Sequence, residues 1–229
     1  MLKKELSYKR TVRSYVIRKR KTTIYQTNIL NKFWTYSGIN FLNKKIDINS
    51  LFDFNNSLIV DIGFGYGNAL VDIASKNFSK NFLGIEVYLP GIIYCLKHIN
   101  LFNIKNLKLI YYDASDVLYY MIKDNSILKF QIFCPDVWSK KRHNKRRILK
   151  KDFIDLIFSK LIFKGILHII TDSESYVDNI LKIISKITSF KNISHKKHHL
   201  LFNCREKTKF ELKSKLNGKK LFKLVFEKN

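Results

Sequence analysis

From residue 58 onward, short apolar runs alternate with stretches of helical spacing. Leu58-Ile59-Val60 is a compact β-branched run ending at Asp61 and a glycine-rich turn, and it predicts a buried strand. Asn68 to Lys76 then carries Leu70, Ile73 and Ala74 at helical spacing. Phe82-Leu83-Gly84-Ile85 predicts a second strand, ending at Glu86. Pro90 marks a helix start, with Ile92, Leu96 and Ile99 recurring at i, i+4 and i+7. Leu107 to Tyr112 predicts a third strand, ending at Asp113, and Phe130 to Cys134 a fourth, ending at Pro135-Asp136. A helix is expected from about Arg147 to Phe163 and a strand from Gly165 to Ile170, ending at Thr171-Asp172. A further helix from about Glu174 to Ile187 and a late strand over Leu221 to Phe226 complete the pattern.

Such alternation predicts an α/β fold with a parallel sheet covered on both faces. Ligands in these sheets bind at the carboxyl ends of the strands, near the switch point. Five of the 18 acidic residues (Asp61, Glu86, Asp113, Asp136 and Asp172) directly follow predicted strands. Singly, such residues end strands or cap helices. Five together predict an acidic crevice in an otherwise basic chain.

Gly63, Gly65 and Gly67 follow the first strand, where glycine lets a ligand approach the backbone closely. A dinucleotide fingerprint starting at Gly63 requires Gly or Ala at position 68, which holds Asn68, and this counts against an NAD-dependent oxidoreductase. The G-x-G-x-G form is instead common in enzymes that use S-adenosylmethionine. Glu86 suits ribose hydroxyls, and Asp113 suits the adenine amino group or the loop around it.

Several longer motifs go further. They are Arg13-Ser14-Tyr15, Asp61-Ile62-Gly63-Phe64-Gly65, Phe82 to Val87, Pro90-Gly91, Cys134-Pro135-Asp136-Val137-Trp138, Lys140 to Arg147, Thr171-Asp172 and Thr208-Lys209-Phe210-Glu211. Together they resemble the bacterial tRNA (guanine-N7-)-methyltransferase family. The sequence departs from that family at Cys134 and Val137, at Ser173 and Ser175, at Glu206, and at Asp61, where the family often has Glu. No charged site residue is lost. The resemblance implies a Rossmann-like class I methyltransferase domain with a mostly parallel seven-stranded sheet. It implies S-adenosylmethionine as cofactor and a guanine of the tRNA variable loop as substrate. Asp61, Gly63, Gly65, Gly67, Glu86, Asp113 and Asp136 are then the expected cofactor contacts. Asp136 is also the expected catalytic residue, accepting from the guanine N1–H and exocyclic amine. Lys140, Asp172, Thr208, Lys209, Phe210 and Glu211 are expected at the substrate. Lys141, Arg142, Lys145, Arg146 and Arg147 are candidate contacts to the RNA backbone. Taken alone, Pro135-Asp136 also reads as a turn, Lys140 to Arg147 as a solvated charge run, and Trp138 as either a base-stacking or a core residue. Adenine-N6 methylation and a non-catalytic RNA-binding role are the competing readings. The segment Cys134-Pro135-Asp136-Val137 fits the adenine-N6 pattern poorly.

Composition bounds the rest. A net charge of +25 and a pI near 9.9 point to a polyanionic partner, nucleic acid or an acidic membrane surface. The basic residues comprise 35 Lys and only eight Arg, and Asn, Ile and Phe are abundant, so part of that charge reflects compositional bias. The length of 229 residues suits one domain over 36–229, preceded by a basic arm over 1–35 that reads as a solvated tail or an RNA-binding extension. Lys9, Arg10, Arg13, Arg18, Lys19, Arg20 and Lys21 cluster in that arm. Cys95, Cys134 and Cys204 lack framework spacing and read as free thiols. There is no signal-peptide pattern, and Lys164 interrupts the apolar run Leu161 to Ile170, so no membrane span is expected. The expectation is a cytoplasmic monomer or homodimer. His195, His198 and His199 lack ligand partners at metal spacing, and no metal is expected.

Overall fold

A computed structural model describes residues 12–16, 21–187, 189–194 and 207–229. Helix α1 (Ile24–Ser37) precedes the sheet. The chain then runs through β1 (Ser57–Ile62), α2 (Asn68–Lys76), β2 (Lys80–Glu86), α3 (Leu89–Leu101) and β3 (Leu107–Tyr111). A short helix α4 (Ala114–Asp116) passes into a π-helical turn, Val117–Met121, and leads to β4 (Ile127–Phe133). A 3-10 helix (Lys141–Arg146), α5 (Lys151–Lys160), β5 (Leu161–Thr171), α6 (Glu174–Ile184), β6 (Phe190–Asn192), α7 (Lys209–Leu216) and β7 (Phe222–Lys228) complete it.

The strands form one seven-stranded sheet in the order β3-β2-β1-β4-β5-β7-β6. The first five are parallel; β7 runs antiparallel to β5 and pairs with β6. The chain order reverses between β1 and β4, which makes that point the switch. Each face of the sheet is covered. Val60, Leu83, Phe130, Ile132 and Leu167 pack with the π-helical turn, α5 and α6. Ile59, Phe82, Leu107 and Leu109 pack with α2, α3 and Ile29 of α1. Burial of these side chains supplies the main driving force, roughly 25 cal/mol per Å² of apolar area.

Three expectations need correcting. The helix expected from Arg147 to Phe163 starts at Lys151 and ends at Lys160. Arg147 is extended (φ −55°, ψ 135°) because its side chain is turned into the protein. At the other end, Asn125 N and Ser126 N donate to the carbonyls of Ser159 and Lys160, and Lys228 Nζ donates to those of Phe158 and Leu161. These partners take the orphan carbonyls of the helix end, and the chain enters β5 at Leu161 instead of Gly165. Helix α6 ends at Ile184, where turns at Ser185 to Ile187 close it three residues early. The polar stretch up to residue 35 contains most of α1, which runs on to Ser37. Its start carries a capping box, in which Thr23 accepts from Gln26 N and Gln26 accepts from Thr23 N. That T-x-x-Q signal is visible in the sequence, but few apolar residues of α1 are buried, so periodicity misses it.

Asn106 ties the first layer together. The two N–H donors of its buried side-chain amide are shared among the carbonyls of Ala74 (3.1 Å), Asn77 (3.0 Å) and Lys80 (2.9 Å). Those carbonyls close α2 and open β2. Replacing Asn106 with Ala removes these buried bonds, and urea unfolding should show a loss of about 1–3 kcal/mol, against about 0.5 for an exposed position.

Candidate active site at the carboxyl ends of the strands

The turn after β1 is built on left-handed glycines. Gly63, Gly65 and Gly67 have φ of +74°, +63° and +82°. Gly63 N donates to Ile85 O (2.9 Å), which ties the turn to β2, and Gly67 caps the amino end of α2. A side chain at Gly63 or Gly65 would meet nothing within 4 Å, so the turn faces open space on its outer side. Its inner side is tight. A Cβ on Gly91, at the start of α3, would come within 1.9 Å of the Gly65 carbonyl oxygen.

Glu86 fixes this turn. It is buried at the end of β2, and its Oε2 accepts from Gly65 N (2.8 Å). Its Oε1 accepts from Val87 N (2.6 Å) and Tyr88 N (3.0 Å). A carboxylate offers about four lone-pair sites, so one further donor can be accepted. Desolvation raises its pKa; the three backbone donors oppose that, and the charge of Asp136 adds to it. The charge of Asp136 thus reaches Glu86, though it is the least of these influences.

Asp136 lies on a turn between two residues in the left-handed region, Cys134 (φ +49°) and Trp138 (φ +50°). Non-glycine residues adopt such angles only where surrounding contacts hold them. Here Cys134 N donates to Ile170 O (2.7 Å), Arg147 Nε to Val137 O (2.8 Å) and Trp138 Nε1 to Ser14 O (3.2 Å). Asp136 is exposed, yet desolvation by the packed strand ends raises its pKa. Asp61 is buried within β1, in register with Gly84 and Gln131. Asp113 is buried and caps α4 by accepting from Ser115 N (2.8 Å). It also lines a cavity of about 290 Å³ with Arg13, Phe41, Asn43, Tyr112, Asp116 and Tyr120.

The remaining expected residues divide. Lys140, Lys141, Arg142 and Lys145 are exposed on and beside the 3-10 helix, and the Arg146 guanidinium lies 5.1 Å from the Trp138 ring centroid. Desolvation, and then Arg142, Arg146, Lys140 and Lys145, hold His143 below its ordinary pKa. Arg147 differs from its neighbours: it is buried, with its guanidinium 4.8 Å from the Tyr176 ring centroid. That placement removes it from the set of exposed phosphate contacts.

Asp172 accepts from Ser214 Oγ (2.8 Å) and Lys219 Nζ (3.1 Å) of the α7 region. Desolvation alone would raise its pKa, but those two donors outweigh it and the net shift is downward. Thr208 and Glu211 form the capping box of α7, each side chain accepting from the other's backbone N–H. Lys209 reaches back over Tyr66 of the glycine turn, 5.5 Å from its ring centroid, and Phe210 is exposed. Residues 172 and 208–211, far apart in the chain, therefore flank one crevice. Spacing did not reveal the contact of Trp138 with Ser14 or the aromatic wall of Tyr66 and Tyr88, whose hydroxyls are 3.1 Å apart. Lys9, Arg10, Arg18, Lys19, Arg20, His195, His198, His199, Cys204, Arg205 and Glu206 lie outside the described residues. Among the described residues, no group of His, Cys, Asp and Glu is placed to hold a metal, and no helix is long and apolar enough to cross a membrane.

These features fit an adenosyl cofactor: a turn with open space above its glycines, a carboxylate with remaining acceptor capacity, and a capped acid on the next strand. A family model described as putative methyltransferase matches residues 55–224. The chain is 47% identical over 219 residues to a tRNA (guanine-N(7)-)-methyltransferase of Buchnera aphidicola subsp. Acyrthosiphon pisum, covering 95% of this chain and 92% of that one. It is 38% identical over 220 residues to the tRNA (guanine-N(7)-)-methyltransferase of Salmonella typhimurium, covering 96% and 92%. Among solved structures, a putative methyltransferase from Streptococcus mutans in complex with SAH aligns with a TM-score of 0.51 at 16% identity, covering 92% of this chain and 100% of that one. An rRNA methylase from Streptococcus thermophilus aligns with a TM-score of 0.50 at 15% identity, covering 76% and 87%. Both share the fold.

The contact of α3 with the glycine turn gives a direct test. Gly91→Ala pushes a methyl group against the Gly65 carbonyl and displaces the turn. Calorimetric titration with S-adenosylhomocysteine should show affinity reduced by about tenfold or more, roughly 1.4 kcal/mol. Unchanged affinity would mean that the turn does not carry the cofactor.

Proposed function

We propose a reaction from one premise: this chain belongs to the bacterial tRNA (guanine-N7-)-methyltransferase family. It methylates N7 of a guanine in the tRNA variable loop, using S-adenosylmethionine. The observation that carries this reading is Asp136, held on its strained turn at the carboxyl end of β4, by the switch point, and followed in the chain by exposed cations.

When bound, S-adenosylmethionine supplies an electrophilic sulfonium methyl group. Guanine N7 carries a lone pair and no proton, so an in-line displacement there needs no general base. The protein's tasks are to position the base and stabilise charge. Asp61, Gly63, Gly65, Gly67, Glu86 and Asp113 hold the cofactor; the spare acceptor site of Glu86 takes a ribose hydroxyl. Asp136 contacts both partners. Its carboxylate accepts from the guanine N1–H and exocyclic amine, and those bonds strengthen as the base becomes cationic. Lys140 contacts the substrate, and Lys141, Arg142, Lys145 and Arg146 hold RNA phosphates. Arg147 instead supports the Asp136 turn from beneath. Thr208 and Glu211 set the start of α7, so that Lys209 lies over Tyr66 and the exposed Phe210 is free to meet the substrate, while Asp172 anchors the far half of that helix.

The assay is methyl transfer from labelled S-adenosylmethionine to tRNA, followed by mass spectrometry of the nucleosides. 7-Methylguanosine is the expected product. Labelling that persists when 7-deazaguanine replaces the target guanine sinks the N7 assignment. Asp136→Ala should lower kcat by about a hundredfold or more. Since Asp136 is exposed, its melting temperature should change little.

The raised pKa of Asp136 sets the acid limb. The ionised form is the acceptor, so activity is present above that pKa and falls as pH drops through it, at higher pH than for an ordinary aspartate. The limb is to be read in kcat at saturating cofactor, where the titration of Glu86 contributes least. It should disappear in Asp136→Asn, along with most of the activity.

A further inference from the structure

A second cavity lies outside the crevice. Its volume is about 540 Å³, and its wall includes Lys44, Lys45, Lys160, Asp124, Tyr119 and Tyr120. Asp124 directly precedes the approach to β4, and Lys160 directly precedes β5, so this cavity sits at the amino ends of those strands. Along β4 that is about 20 Å from the carboxyl ends, at roughly 3.3 Å per residue.

We propose that this cavity binds a phosphate of the RNA backbone, as a second anchor for the tRNA substrate remote from Asp136. The proposal rests on the tRNA reading above.

Charge is the first reason. Three lysines face one aspartate, and that aspartate is already paired with Lys160. Pre-organisation is the second. Lys45 Nζ donates to the carbonyls of Tyr119 and Ile122, which fixes an otherwise flexible ammonium at the wall. The Lys160 side chain is only 5% exposed. These cations crowd each other: burial and then the charge of Lys160 bring Lys45 down to about 8. A bound anion relieves that repulsion and gains charge-assisted hydrogen bonds from donors already in place.

Continuity is the third reason. Tyr120 and Asn43 line both this cavity and the one beside Asp113. The π-helical turn that carries Tyr119 and Tyr120 runs from the carboxyl end of β3 towards the amino end of β4. Lysines and tyrosines thus line two adjoining cavities, one of which includes Asp113. That combination suits an RNA backbone, with ammonium groups for phosphates and hydroxyls for sugar edges.

Lys44 is exposed, so its replacement should leave the fold intact. The test compares Lys44→Glu with Lys182→Glu, an equal change of charge at an exposed position on α6. Anisotropy titrations of full-length tRNA over a range of salt should show Lys44→Glu binding about three- to tenfold more weakly, with the salt slope reduced by roughly 0.7–0.9 per lost phosphate contact. Lys44→Arg should bind like the wild type. KM for full-length tRNA should rise with kcat unchanged, and S-adenosylhomocysteine affinity should not move. A short stem-loop containing only the target guanine should be methylated equally by wild type and Lys44→Glu, because it cannot reach the second anchor. Unchanged tRNA affinity in Lys44→Glu, or an equal loss in Lys182→Glu, overturns the anchor. Salt-sensitive RNA binding that depends on Lys44 but leaves the guanine unmethylated overturns the functional reading and leaves the anchor standing.

Discussion

A buried carboxylate that accepts three backbone N–H groups, Glu86, holds the site in shape. Its bond to Gly65 pulls the glycine turn against the end of β2, and its bonds to Val87 and Tyr88 shape the entry to α3. The turn in turn sets where α2 begins, through the left-handed Gly67. Helix α3 then packs so close to Gly65 that position 91 tolerates no side chain. Burying this charge is costly, as its raised pKa records, and hydrogen bonds to the charged form offset much of that cost. The negative charge of Asp136 opposes ionisation of Glu86 as well. An exposed acid and a buried acid thus act on each other at the strand ends, an arrangement suited to receiving donors from a ligand.

The parallel sheet was legible because its strands are short, apolar and followed by breakers. β1 to β5 and β7 were all located, with errors of a few residues at their ends. The larger misses have definite causes. β6 has only three residues, Phe190–Asn192, and two of them are exposed, so no apolar run marks it. The early end of α5 depends on Lys228, some 70 positions away in the chain, which no local pattern reveals. α1 and α7 bury too little for periodicity to register, but both begin with capping boxes that can be read directly. In α7 that box is the T-K-F-E motif itself. Two of its four residues are engaged in capping the helix, a reading that local rules supply without any family resemblance.

Charge was legible in amount and not in use. The net excess gave no way to separate lysines that meet solvent from those that complete the fold. Lys228 and Lys45 donate to backbone carbonyls, and Lys160 is buried against Asp124. Arg147 was read as a candidate contact to the RNA backbone, yet it braces Val137 and packs over Tyr176. A cation-rich run in sequence is divided in space by the turn into α5.

The acids at the strand ends likewise serve two purposes. Asp113 caps α4, and Asp172 anchors Ser214 and Lys219; each is a bland structural role of the kind expected for polar residues at such positions. Yet those roles place the walls of the crevice. By holding the far half of α7, Asp172 leaves the capped end of that helix beside the glycine turn, where Lys209 covers Tyr66. By capping α4, Asp113 starts the π-helical turn that carries Tyr120 to the neighbouring cavity. Structural and functional readings of a strand-end acid are therefore not alternatives here. The hydrogen bonds that satisfy its buried oxygens also set the positions of the elements that enclose the ligand.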